Sequence, residues 1–74
     1  MESIQMAVEV IKEHPCKLGR GASLSVLPGN KYSGRVFGAA AGELPDDFRI
    51  GDQFDTVVLC SGGIPMHIVL NHSI

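Results

Sequence analysis

The alternation of apolar and polar positions is clearest in the last third of the chain, where two aliphatic runs flank a short glycine segment. Residues 54–60 and 64–71 are rich in β-branched side chains, which suit pleated, half-buried strands. Between them, Ser61, Gly62 and Gly63 can reverse the chain, because glycine takes the positive φ that a tight hairpin turn requires. This pattern predicts a β-hairpin.

The N-terminal segment has a pattern that fits two kinds of element. Its polar residues gather on one side of a helical wheel, but every second residue is apolar, as in a half-buried strand: Ile4, Met6, Val8 and Val10. The stiff β-branched side chains and the β character of the rest of the chain favour a strand over residues 3–12. A helix over residues 3–14 is the alternative.

Turn-forming residues divide the middle of the chain. Residues 14–21 contain a proline and two glycines, which predict a loop. A second hairpin is predicted from short strands over residues 22–27 and 32–37. These strands are joined by Pro28-Gly29-Asn30, residue types that favour a β-turn.

The fold class follows from the spacing of these elements. Residues 38–44 are predicted to form a connection, and Gly51-Asp52 a turn that leads into the last hairpin. About five short strands with turns every 8–12 residues are typical of a small barrel or sandwich. We therefore predict a mainly β fold, a five-stranded antiparallel barrel of the SH3-like or OB-like kind. The alternative is an α+β domain with the N-terminal helix on a four-stranded sheet.

The size and composition of the chain favour self-association. Its 74 residues form one domain, 1–74, and a core of that size is marginal. Hydrophobic residues make up 45% of the chain but aromatic residues only 5%, so the excess is aliphatic and difficult to bury in one small core. We predict a homo-oligomer that associates through its last two strands, with these interface residues: Val58, Cys60, Met66, Ile68 and Leu70.

Charge is unevenly distributed and suggests one further function. Residues 12–35 carry five basic side chains against one acid, whereas residues 43–55 carry five acids against one base. A basic groove with aromatic platforms can bind single-stranded nucleic acid, and Tyr32, Arg35 and Phe37 are the candidates here. The whole chain has a net charge of −2, however, which argues against nucleic acid as a partner.

The cysteines and histidines offer the remaining candidates for chemistry. Cys16 and Cys60 are too few for a disulfide scaffold, and we expect free thiols, with a Cys16–Cys60 bridge as the alternative. The spacing of His and Cys lacks the tight pairs of a zinc site, so no metal is predicted. Cys16 lies beside basic residues in a predicted loop, which suggests a thiol-dependent or small-ligand site. This site would be centred on His14, Cys16 and Arg20. With Tyr32 and Arg35 from the basic, aromatic segment added, the candidate ligand-binding residues are His14, Cys16, Arg20, Tyr32 and Arg35.

No constellation of nucleophile, base and orienting residue is evident, so the sequence predicts a non-catalytic binding or structural module without a cofactor. The N-terminus has no pattern of a secretory leader, and no apolar run reaches the ~18–20 residues of a membrane span. A cytoplasmic protein that does not enter a membrane is the expectation.

Overall fold

The fold is given by a computed structural model that describes residues 1–69, so the predicted interface residue Leu70 lies outside the described residues. Five antiparallel strands form one sheet in the order β3-β2-β1-β4-β5. The strands are β1 (Glu2–Cys16), β2 (Gly19–Val26), β3 (Val36–Ala39), β4 (Gln53–Ser61) and β5 (Ile64–Val69). The end strands β3 and β5 lie against each other, so the sheet curls into a nearly closed barrel.

This architecture confirms the prediction of a mainly β fold built as a small antiparallel barrel. The N-terminal segment is a strand, and the alternative with an N-terminal helix is wrong: no helix occurs within residues 1–69. The alternation of apolar residues, rather than the polar side of the helical wheel, is the informative pattern there. Met6, Val8 and Val10 all point into the barrel.

Strand β1 is long because it pairs with two neighbouring strands, first with β4 and then with β2. Its first half pairs with β4, from Glu2 opposite Cys60 to Glu9 opposite Gln53. Its second half pairs with β2, and a bulge at Ile11 interrupts that register. Since a bulge bends a strand and increases its twist, it lets one strand curve around the barrel.

The core is formed by inward-facing aliphatic residues of three central strands and by side chains from the loops. The strand contributions alternate with outward positions, as the period of two in a pleated strand requires. The loops add two aromatic rings, and β3 adds one. The core comprises Met6, Val8, Val10, Ala22, Leu24, Val26, Tyr32, Phe37, Ala39, Leu44, Phe48, Val58, Cys60 and Ile68.

The last hairpin was predicted correctly in both its strands and its turn. Ser61 pairs with Ile64, and only Gly62 and Gly63 stand between them, with φ of 59° and 79°. Positive φ at both central positions is the requirement of the two-residue turn whose twist matches the flanking strands.

The predicted loop over residues 14–21 is wrong, because β1 continues to Cys16 and β2 begins at Gly19. Only Lys17 and Leu18 lie outside the strands. Proline is accepted at position 15 because β1 has no β4 partner beyond Glu9, so one edge of the strand is free there.

The second predicted hairpin exists with a shorter returning strand. Strand β3 begins at Val36, whereas the sequence predicted a strand from residue 32. Tyr32 lies instead in the connecting loop, where its backbone N–H donates to the Asn30 side chain at 2.7 Å. This Asx-type turn competes locally with strand formation.

Candidate functional site

An open groove lies between the β1–β2 hairpin and the end of β3. Its volume is about 620 Å³. One side is formed by hairpin residues His14, Cys16, Lys17 and Leu18, and the floor and far side by small residues: Gly21, Ala22, Gly38, Ala39, Ala40 and Ala41. The lining is predominantly apolar. The volume of the groove falls within the range of ~300–1,000 Å³ that is usual for small-molecule sites.

The two strand glycines on the floor play different roles. A Cβ on Gly21 would stand 2.9 Å from the backbone oxygen of Ala39, so glycine is required for the close approach of β2 and β3. A Cβ on Gly38 would meet nothing closer than 4.0 Å, and Gly38 is exposed. A side chain at position 38 would therefore begin in open space, without a clash at its Cβ.

His14 and Cys16 come together on the wall of the groove, as the sequence suggested for a site in this region. Each side chain has one hydrogen-bond partner: His14 Nε2 lies 2.7 Å from the Ser23 hydroxyl, and the Cys16 thiol donates to the Gly19 carbonyl at 3.2 Å. Both cysteines are free, and Cys16 is exposed whereas Cys60 is buried. They lie toward opposite ends of β1, since Cys60 pairs with Glu2.

Arg20, which the sequence grouped with His14 and Cys16, lies outside the lining of this groove and ties two parts of the fold together. Its Nε donates to Glu13 at 2.6 Å, and its two Nη atoms donate to the carbonyls of Asp46 and Phe48 at 2.7 Å each. The guanidinium also stacks over the Phe48 ring, 4.0 Å from its centre. With these contacts, Arg20 fixes the loop between β3 and β4 to the first hairpin.

The ion pair between Arg20 and Glu13 shifts the pKa of both residues. The hydrogen bond from Arg20, reinforced by its charge, lowers the pKa of Glu13 below its ordinary value of 4.5, although desolvation opposes the shift. The pKa of Arg20 is raised in turn, first by the hydrogen bond to Glu13. All three guanidinium nitrogens of Arg20 thus donate to groups of the protein itself.

The three residues suggested for nucleic-acid binding do not form one surface. The rings of Tyr32 and Phe37 are core side chains, 3% and 8% exposed, so neither offers a face on which a base could stack. Arg35 is exposed in the loop immediately before β3. Lys31 lies over the Tyr32 ring at 5.3 Å, a contact that covers the ring further.

The structure places three of the predicted interface residues in the core of the single chain: Val58, Cys60 and Ile68. Met66 is exposed, at the irregularity in the β4–β5 register. The intervening positions face outward, where Val57 pairs with Val69 and Leu59 with His67. We call the outward aliphatic group the β4–β5 outer face: Val57, Leu59, Ile64, Met66 and Val69.

The sequence predicted the two strands correctly, but three of the four described interface candidates face the core, and Met66 alone among these four is exposed. Both positions of the pair Val57 and Val58 are aliphatic, so apolarity alone does not show which one points inward. The two-residue turn supplies the missing signal, because it fixes the register, and a strand side chain alternates faces with a period of two. Ser61 at the turn is polar and exposed, which assigns Leu59 and Val57 to the outer side.

Neither a metal-binding cluster nor a membrane-spanning helix is found in residues 1–69. No cluster of three or more His, Cys, Asp or Glu residues suited to a metal ion occurs within residues 1–69. Over the same range there is no helix of sufficient length and apolarity to cross a bilayer.

A comparison with known proteins gives no match to a family model, to a curated protein or to a solved structure. The functional argument therefore depends on the residues and surfaces of this chain alone.

Proposed function

We propose that this protein is a non-catalytic β-barrel module that self-associates through the β4–β5 outer face. The observation that carries the proposal is the composition of that face. Its five aliphatic side chains lie on two adjacent strands, and three of them are at least 44% exposed: Ile64, Met66 and Val69. A contiguous outward group of this kind in a chain of 74 residues is typical of an interaction surface.

A second copy of the chain is the partner that we favour, for two reasons. A domain of this size has a marginal core, and burial of outer aliphatic residues between copies adds stability that the monomer lacks. The strand β5 is also at the end of the sheet, and its residues 64–69 include no lysine, arginine or acid. Charged side chains are a common device by which edge strands avoid association.

The test is the concentration dependence of mass by sedimentation velocity, from about 20 µM to about 1 mM. The wild-type chain of 7.9 kDa is expected to double its mass within this range. Met66→Lys and Val69→Lys place charge on the face at positions that are already exposed, so the fold should persist and the dimer should dissociate. Replacement of Val58 or Ile68 would perturb the core and therefore would not test the interface.

Ile11→Lys is the matched control. Ile11 is 43% exposed against 44% for Met66 and Val69, and it lies at the β1 bulge, away from β5. This variant is expected to dimerise like the wild type. A wild-type monomer at every concentration, or loss of the dimer in Ile11→Lys as well, would contradict the assignment of the interface to the β4–β5 outer face.

A further inference from the structure

We infer that the groove between the β1–β2 hairpin and β3 is a binding site for a small amphipathic anion, an aliphatic chain that ends in a carboxylate. This site lies on other strands than the β4–β5 outer face and is independent of the self-association proposed above. Three features of the groove support this site: the apolar floor, the charge of Lys17 on the wall and the absence of a side chain at Gly38.

The floor suits an aliphatic chain because it is made of glycines and alanines, and the backbone of its strand residues is paired in the sheet. Ala22 pairs with Ala39, and Ser23 with Gly38, in the β2–β3 ladder. Gly38 leaves open space above the floor, since an added Cβ would have no neighbour within about 4.0 Å. An aliphatic chain that lies there removes apolar surface from water on both sides.

The charge of Lys17 on the wall favours an anionic end group. Lys17 lines the groove, His14 stands beside it, and none of the lining residues is acidic. The two carboxylates near the hairpin and the β3 end point to other partners. Glu13 accepts from Arg20, and Glu43 accepts from the Ala40 N–H at 2.5 Å and lies 3.9 Å from His67. A carboxylate in the groove would therefore meet Lys17 without a competing acid in the lining.

The alternative occupant is a second copy of the chain, which would bring its own exposed Leu18. In a two-fold arrangement at this groove the Lys17 side chains of both copies would approach each other, because Leu18 and Lys17 are adjacent at the hairpin tip. Like charges at such a contact are unfavourable, and this favours the anion over the second copy.

The experiment is a titration of the full-length ¹⁵N-labelled chain with octanoate and, separately, with 1-octanol, followed by two-dimensional NMR. Octanoate is expected to shift amide signals of Gly21, Gly38, Ala40 and Ala41, and to bind about fivefold more tightly than the neutral alcohol. Lys17→Glu should reduce octanoate binding to the level of octanol or below it. Arg35→Glu changes charge equally at the opposite end of β3 and should leave binding unchanged.

Gly38→Val tests the shape of the site separately from its charge. A Cβ at position 38 would meet no atom closer than 4.0 Å. The valine side chain should fill the groove, so that binding of both compounds falls by at least about tenfold while the spectrum remains that of a folded protein. Met66→Lys, which breaks the proposed dimer, should bind octanoate normally. The failure of one proposal is thus distinguishable from the failure of the other.

Three outcomes would overturn the inference. The first is that octanoate shifts no groove signals, or shifts signals elsewhere on the barrel. The second is equal binding of octanoate and octanol, which would show that the carboxylate is not recognised. Finally, groove signals that move with protein concentration alone, and that stop moving in Leu18→Glu, would assign the groove to a second copy of the chain.

Discussion

The hydroxyl group of Tyr32 provides the sharpest test of the packing of this barrel. Tyr32 is 3% exposed within the core, and its buried hydroxyl has no hydrogen-bond partner among the residues that the structure describes. In the unfolded chain the same hydroxyl is hydrated. The substitution Tyr32→Phe removes this one oxygen and keeps the ring, so we expect it to stabilise the protein.

The magnitude follows from the cost of an unpaired buried polar group. Leaving a buried donor or acceptor unsatisfied costs about 1–3 kcal/mol. Because the ring packing is unchanged, most of this cost should be recovered as an increase of about 1–2 kcal/mol in the free energy of unfolding. For a domain of this size, each kcal/mol corresponds to a rise of about 4–8 °C in Tm.

The assay is urea denaturation followed by far-UV circular dichroism. Tyrosine fluorescence is unsuitable, because Tyr32 is the one tyrosine of the chain and there is no tryptophan. The midpoint should rise with an unchanged m-value, since the surface exposed on unfolding is nearly the same. Tyr32→Leu, which also removes the ring, should instead lose roughly 2–4 kcal/mol. A Phe variant that is less stable than the wild type by 1 kcal/mol or more would refute the reasoning, because the hydroxyl would then have a partner in solution.

Three further predictions concern other contacts. Arg20→Gln should lower stability most at neutral pH and less at about pH 3, because the lowered pKa of Glu13 stabilises the fold only while that carboxylate is ionised; equal urea-midpoint losses at both pH values would refute this. Gly21→Ala should cost about 1–3 kcal/mol, since its Cβ would meet a β3 backbone oxygen at 2.9 Å, and a loss below ~0.5 kcal/mol in thermal unfolding would contradict it. A thiol reagent should label Cys16 in the native protein and Cys60 only in denaturant, and equal rates would contradict the burial of Cys60.

The parts of the fold that the sequence predicted well are those set by local chemistry. The two glycines at positions 62 and 63 define a turn type, and the aliphatic runs around them define its strands. The prediction failed where distant parts of the chain decide the outcome. Pro15 normally disfavours a strand, but here β1 has a free edge beyond Glu9, and only the registers with β2 and β4 show this.

The contrast between local patterns and contacts from distant parts of the chain also explains how far the candidate site could be predicted. The sequence marked His14 and Cys16, but the groove beside them also needs Gly38 on β3, which lies more than twenty positions after Cys16 in the chain. Arg20 resembled a ligand-binding residue because its partners, the carbonyls of Asp46 and Phe48, are backbone atoms that leave no trace in the pattern of side chains.

The position of β1 between β2 and β4 has a consequence for the order in which the chain can fold. The pairs β1–β2 and β4–β5 are hairpins closed by two-residue loops, and such local contacts can form early. Their union requires β1 to find β4, with Glu2 meeting Cys60 from almost the other end of the chain. The entropy of closing that long loop is lost before the contacts between the hairpins compensate for it, so the docking of two preformed halves is the step expected to limit the folding rate.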